Sequence, residues 1–293
     1  MITREQVDQA IAGWQKPYVD FLSKHAALWR TWAAQSDSMV AGKQVRLEDV
    51  PDFFKSDYEW AEVVLDMGGK EQFNWNDPRI AGLFAKAVKT PFYKLWGDTI
   101  VGIAIALAAS GGIKTMLEIG AGRGNLSGLM LESLWKSNMN QPLVITDAHA
   151  TVLDNLSGLQ EKCPGRRIDT VIWDVNQPAP QELDALSAPV LLYERASLTY
   201  ANFGAIENLA RVADVLVLGD YFNYTGELFA YDFLFERIGL QPLMYRDVQP
   251  LLERCFSEHI IVDRQVQAAI GLPNVSLIVA WKQVPQTPKK FIS

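Results

Sequence analysis

The sequence predicts an α/β fold: a doubly wound, seven-stranded, mostly parallel sheet with a terminal antiparallel hairpin, plus an α-helical N-terminal region. Three observations carry this. After Gly112, short apolar runs alternate with helical stretches, the pattern of parallel strands joined by right-handed crossovers. The last two strand-like runs flank "IGLPN", a short turn suited to a hairpin. Before Gly112, apolar residues recur near i, i+3, i+4 and i+7, the period of helices.

The elements follow in order. "TREQVDQAIAGWQKPYVDFLSKHAALWRTWAA" is helical, with Thr3 as N-cap and Glu5 and Gln6 close behind. Pro17 is expected to divide it into two helices. "LEDVPDFFKSDYEWAEVVLDMGG" is a further helix or pair, closed by Gly68 and Gly69. "NDPRIAGLFAKAVKTPFYKLWGDTIVGIAIALAAS" reads as two more, with Asp77 as cap and Pro78 at the first helical position. Five strands are expected at "KTMLEIG", "PLVITDA", "RIDTVIWDV", "PVLLYERA" and "DVLVLGDY". Helices are expected at "NLSGLMLESLWKSN", "ATVLDNLSGLQEKC", "FGAIENLARVA", "GELFAYDFLFERIG" and "YRDVQPLLERCF". "HIIVDRQVQAA" and "VSLIVAWKQV" complete the sheet. The division falls into a helical region, 1–110, and a sheet-bearing domain, 111–293.

Composition narrows the function. The net charge of −7 and the lack of a basic block argue against a nucleic-acid partner. "MITREQVDQAIAGW" has no apolar core of a signal peptide. The most apolar stretch, 99–113, falls short of the ~18–20 residues of a membrane span and reads as a buried helix. Cys163 and Cys255 make neither a disulfide framework nor a metal cluster, so a cytoplasmic protein without a metal is expected.

"LEIGAGRGN" (117–125) poses the functional question. Gly120, Gly122 and Gly124 follow a buried strand and precede a helix, where bare backbone can turn tightly and approach a ligand. In open α/β sheets ligands sit beyond the carboxyl ends of the strands. There the second strand supplies Asp147 for ribose hydroxyls and the third supplies Asp174 for an adenine edge. The fourth leads into "LLYERASLTY". A nicotinamide G-x-G-x-x-G pattern would need Gly or Ala at 125, which is Asn. A P-loop would need Gly-Lys-Ser/Thr, which is missing.

Over residues 113 to about 283 the sequence resembles the class I S-adenosylmethionine-dependent methyltransferases, a Rossmann-like superfamily whose first motif is an acid followed by G-x-G-x-G, as in "EIGAGRG" (118–124). The resemblance implies S-adenosyl-L-methionine as cofactor. It places Glu118 beneath it, Gly120, Ala121 and Gly122 along its methionine and ribose portion, and Asp147 on the ribose diol. Ala148 and His149 would flank the adenine, Asp174 and Val175 would meet its edge, and Glu194 and Arg195 would lie near the methionine amino acid. Arg195 would pair with Glu194 or hold a carboxylate. The helical region would form a substrate lid, with Tyr18, Trp75, Tyr93 and Trp96 as candidates to face the sulfonium.

Methyl transfer to a sulfonium-activated carbon mainly requires alignment and exclusion of water. Ser197, Tyr200 and Tyr221 are the candidate catalytic residues, with Asn223 and Tyr224 nearby in sequence. None of His25, His149 and His259 makes a persuasive base. The expected function is methylation of a small-molecule metabolite, in secondary metabolism. One alternative is a cyclase of the same fold that closes the methionine arm to azetidine-2-carboxylate and releases methylthioadenosine. A second is a non-catalytic ligand-binding protein, against which the intact loop and both acids argue.

Overall fold

A computed structural model describes residues 2–40, 52–69, 77–154, 156, 158–163, 165–223, 243–262 and 276–282. Trp75, Tyr224, the helix expected at "GELFAYDFLFERIG" and the turn "IGLPN" lie outside the described residues.

Helix α1 (Arg4–Val40) starts on a reciprocal cap. The Gln6 N–H donates to Thr3 Oγ1 at 3.3 Å and the Thr3 N–H donates to Gln6 Oε1 at 2.9 Å. Contrary to expectation, Pro17 does not divide it; the helix runs through. An interior proline costs ~3 kcal/mol. Against that, Val7, Ile11 and Tyr18 are buried along one face spanning the proline, each worth roughly 1.5–3 kcal/mol. Helix α2 (Asp52–Asp66) ends where Gly68 and Gly69 adopt φ of 98° and 87°, and the Gly69 N–H donates back to the Val64 carbonyl at 2.9 Å. In α3 (Pro78–Ala87) the Asp77 carboxylate accepts from the Arg79 N–H, with Pro78 at the first turn as expected.

Helix α4 (Pro91–Gly111) is capped by Thr90 and closed by Gly112 at φ 67°. At 21 residues it is longer than the apolar run read from the sequence, and by length and composition it could cross a membrane; 67% of its apolar window is buried inside the protein. It packs on α1 and on the sheet below.

The sheet comprises β1 (Thr115–Glu118), β2 (Leu143–Asp147), β3 (Ile168–Ile172), β4 (Val190–Arg195), β5 (Val215–Asp220), β8 (Glu258–Ile261) and β9 (Ser276–Trp281). Its order is β3-β2-β1-β4-β5-β9-β8. The first five strands are parallel, and β9 runs antiparallel to both β5 and β8, the terminal hairpin of the expected fold. Two-residue strands β6 (Phe222–Asn223) and β7 (Leu243–Met244) pair separately. The intervening helices are α5 (Asn125–Lys136), α6 (Ala150–Asp154), α7 (Gly158–Lys162), α8 (Gln181–Asp184), α9 (Ala205–Val212) and α10 (Tyr245–Cys255). "ATVLDNLSGLQEKC" thus supplies two short helices where one was read.

Two apolar layers cover the sheet. One joins α1, α3, α4 and α5 to residues such as Met116, Tyr193 and Val217. The other joins α8, α9 and α10 to Leu117, Leu192 and Leu218. Strand alternation therefore sends Glu118, Tyr193 and Arg195 toward the α4 layer, and Glu194 and Asp220 toward the α9 layer.

The contact between α1 and α4 is close because Gly102 has no side chain. A Cβ there would lie 2.0 Å from Trp14 Cε2. Gly102→Ala should lose stability in urea denaturation by about 1–3 kcal/mol from overpacking, despite a helix-propensity gain of about 1 kcal/mol. A stabilised variant would contradict this packing.

Candidate functional site

The strand order reverses between β1 and β4, so their carboxyl ends open a crevice. The loop after β1 enters it with Gly120, Gly122 and Gly124 at φ of 60°, 53° and 71°. All three are left-handed, where a side chain is strained. The three glycines are not equivalent. A Cβ on Gly120 would meet Ser197 Oγ at 2.3 Å, and one on Gly124 would meet Leu156 Cδ2 at 2.5 Å. Around a Cβ on Gly122 there is nothing within 4 Å. Gly120 and Gly124 are thus required by the protein's own packing, while Gly122 borders open space, as a cradle for a ligand would.

Asp147 ends β2 and is nearly buried. Its Oδ2 accepts from the Gly122 N–H at 3.0 Å and its Oδ1 from the His149 N–H at 3.0 Å. The carboxylate therefore fixes the glycine loop itself, and the lone pairs left on its two oxygens are what a diol could use. Ala148 and His149 follow it at the exposed surface. Ser197 closes the opposite wall, its Oγ donating to the Ile119 carbonyl at 3.1 Å.

Glu118 lies under the loop, almost wholly buried, with the Tyr193 hydroxyl donating to its Oε2 at 2.9 Å. Burial raises its carboxyl to about 7, with Ser127, Tyr193 and Arg195 pulling the other way. On the far face of β4, Glu194 is buried and its Oε2 accepts from the Ser197 N–H at 2.8 Å. Asp220 accepts from the Thr199 N–H at 3.0 Å, the Thr199 hydroxyl and the Tyr221 N–H at 2.6 Å. Burial, then the neighbouring Asp220, push Glu194 well above the ordinary carboxylate range; burial raises Asp220 to about 6. This pair gathers the backbone donors of the 196–200 turn, in which Ala196 is held at φ 57°.

On the α4 side, Arg195 Nη1 donates to the Tyr93 carbonyl at 3.2 Å, and its guanidinium lies 5.5 Å from the Tyr93 ring centroid. The Tyr93 and Tyr221 hydroxyls are 2.7 Å apart. Trp96 meets Tyr221 edge-on at 5.5 Å.

No protein-family model matches the chain, and no curated protein matches it. Among solved structures it is similar to the CMeT domain of the citrinin polyketide synthase, with a TM-score of 0.62 and 16% identity over 82% of this chain and 69% of that one. It is also similar to the CurJ carbon methyltransferase, with a TM-score of 0.55 and 15% identity over 92% of this chain and 71% of that one. The fold is that of the class I S-adenosylmethionine-dependent methyltransferases. A DUF574 family protein from Streptomyces avermitilis shares it, with a TM-score of 0.50 and 16% identity over 78% of this chain and 97% of that one.

Within this methyltransferase fold, the structure brings Glu118, Gly120, Ala121, Gly122, Asp147 and Ser197 together at the head of β1. Asp174 and Val175 follow β3, and both are occupied locally: Asp174 Oδ1 accepts from the Asn176 N–H at 3.0 Å, and the Val175 carbonyl from Asn208 Nδ2 at 2.9 Å. Glu194 and Arg195 belong to β4, within the strand expected at "PVLLYERA", and they occupy opposite faces. They form no ion pair among the described residues. Tyr200 ends a 3-10 turn and meets Trp60 edge-on at 6.1 Å. Tyr18 and Trp96 are fully buried, Tyr93 and Tyr221 nearly so. His259 is engaged with Tyr245 at 2.7 Å at the β8 edge.

The sequence reading missed Tyr193, Thr199, Asp220 and Gly97. Strand alternation within "LLYER" and "LGDY" could have pointed to Tyr193 and Asp220. Gly97 carried no such signal; a Cβ there would stand 2.9 Å from Arg195 Nη1.

A carboxyl raised by folding favours the protonated native state. Its stabilisation is complete below the unfolded value of 4.5 and is lost as pH rises through about 7. Glu118→Gln should therefore reduce the decline in unfolding free energy between those two values, by up to roughly 3 kcal/mol. Urea titrations across that window test it; parallel curves for wild type and variant would remove Glu118 as the source.

Proposed function

We propose that the chain is an S-adenosylmethionine-dependent methyltransferase acting on a small molecule. The observation that carries this is the left-handed glycine loop at the switch point, clipped by Asp147 and open at Gly122. Those residues suit the cofactor: Gly120, Ala121 and Gly122 would hold its methionine and ribose portion, and Asp147 its diol. When bound, the cofactor supplies a methyl group on an already activated sulfonium. The chain's own task is to align an acceptor and keep water out. Ser197 and Tyr200, in the turn after β4, and Tyr221, after β5, are the groups this reading sets toward the acceptor. Helix α4 roofs the same strand ends with aromatic side chains.

A net charge of −7 supports a small molecule over a nucleic acid. The citrinin polyketide synthase domain supports a role in secondary metabolism, and the CurJ name makes carbon a candidate acceptor atom.

Calorimetric titration with S-adenosylmethionine tests the site. Asp147→Ala should weaken binding by about 1–3 kcal/mol, because it removes a charged acceptor and releases the Gly122 N–H. Gly122→Val should abolish binding, since its side chain enters the open space at a strained φ. Normal affinity in the Gly122 variant would sink the assignment. Incubation with the cofactor alone, read by mass spectrometry, tests the reaction. Intact cofactor supports an enzyme awaiting its acceptor; methylthioadenosine above a protein-free control would move the chemistry to the methionine arm.

A further inference from the structure

Arg195 is a cation packed under α4 with no carboxylate within salt-bridge distance among the described residues. Its one described hydrogen bond is to a neutral carbonyl, that of Tyr93. Glu118 and Glu194 are near enough to act on it electrostatically, yet the Glu118 carboxyl is held by Tyr193 and raised by burial to about 7, and burial pushes Glu194 well above the ordinary carboxylate range. Beside Arg195 is a second donor. The Trp96 indole N–H is buried and has no acceptor among the described residues. Both flank Gly219: Arg195 is its partner in the β4–β5 register, and a Cβ on Gly219 would lie 2.7 Å from Nε1 of Trp96, which α4 lays over that strand.

Arginine and tryptophan can only donate hydrogen bonds. A buried donor without an acceptor is destabilising, and a neighbouring cation makes an anionic oxygen its best partner. The position selects the source of that oxygen. The glycine loop and Asp147 occupy the β1–β2 side of the crevice, whereas Arg195 of β4 and Trp96 of the roofing helix α4 lie on the β4–β5 side.

We propose that Arg195 and Trp96 form an oxyanion subsite for the acceptor, so that the molecule methylated carries an anionic oxygen such as a carboxylate. This rests on the methyltransferase reading, and it assigns Arg195 to the acceptor rather than to the cofactor's own carboxylate.

Calorimetry on the full chain loaded with S-adenosylhomocysteine tests it, with benzoate and its neutral analogue benzamide as probes. Wild type should prefer benzoate by about tenfold or more, the range of a charge-assisted hydrogen bond. Arg195→Gln should erase that preference while leaving S-adenosylhomocysteine affinity within about twofold. Arg195→Lys should keep part of it, since the charge remains but the planar fork does not. Trp96→Phe should reduce it, and thermal melts of each variant establish that the fold is intact. No benzoate preference in wild type, or the same preference in Arg195→Gln, overturns the proposal. So does a loss of S-adenosylhomocysteine affinity in Arg195→Gln that spares methylthioadenosine, which lacks the amino acid arm; Arg195 would then hold the cofactor. If wild type binds neither nucleoside, the methyltransferase reading itself falls, and the benzoate titration on the unloaded chain still decides for or against the subsite.

Discussion

Everything on one face of this protein depends on how closely α4 approaches its neighbours. Glycines clear the path in three directions. Gly102 admits Trp14 of α1, Gly97 admits the Arg195 guanidinium of β4, and Gly219 of β5 admits Ile100 and Trp96. Interiors are packed at crystal-like density, so each approach is possible only where a Cβ is missing. The result is a helix that belongs to both halves: its aromatic first turns roof the ends of β4 and β5, and its remainder carries α1. The helical N-terminal segment and the sheet share one apolar cluster through it.

The crevice below is held by hydrogen bonds rather than by apolar contact. Asp147 fixes Gly122, Ser197 fixes the carbonyl of Ile119, and Glu194 with Asp220 gathers the donors of the turn between them. At Gly122 in the loop, and at Ser197 and Thr199 in the turn that follows left-handed Ala196, peptide N–H groups point to side chains rather than into a helix or strand ladder. The buried acids supply the missing acceptors. The raised pKa values of Glu194 and Asp220 are the physical cost of that service, because carboxylates that steady a turn from inside a low-dielectric core are themselves poorly solvated. Glu194 and Asp220 thus link the geometry of that turn to proton binding on one face of the sheet, while Glu118, held by Tyr193, is raised by burial on the other.

Much of this was legible in the sequence, and the legible part is local. Thr3, Asp77 and the Gly68–Gly69 pair act within a few residues of themselves, so their caps and stops could be read directly. The parallel strands and their crossovers followed from alternation and handedness. The "GAGRG" loop announced its left-handed glycines because few other functions need bare backbone at that spacing. Pro17 misled because its local cost is real, yet burial of Val7, Ile11 and Tyr18 along one helix face outweighs it. "ATVLDNLSGLQEKC" held one helical pattern but folds as two short helices.

The sequence by itself determined the fold class, the place of the glycine loop and the acids around it, since each is written in residues adjacent along the chain. Only the tertiary structure decided what those acids touch. Asp147 meets an N–H from 25 residues earlier, Glu118 meets a tyrosine 75 residues later, and Arg195 meets a carbonyl 102 residues before it. No propensity or period encodes such partners. They are chosen by which strands lie side by side, by the face each side chain takes, and by the few glycines that let a helix come close enough to finish the site.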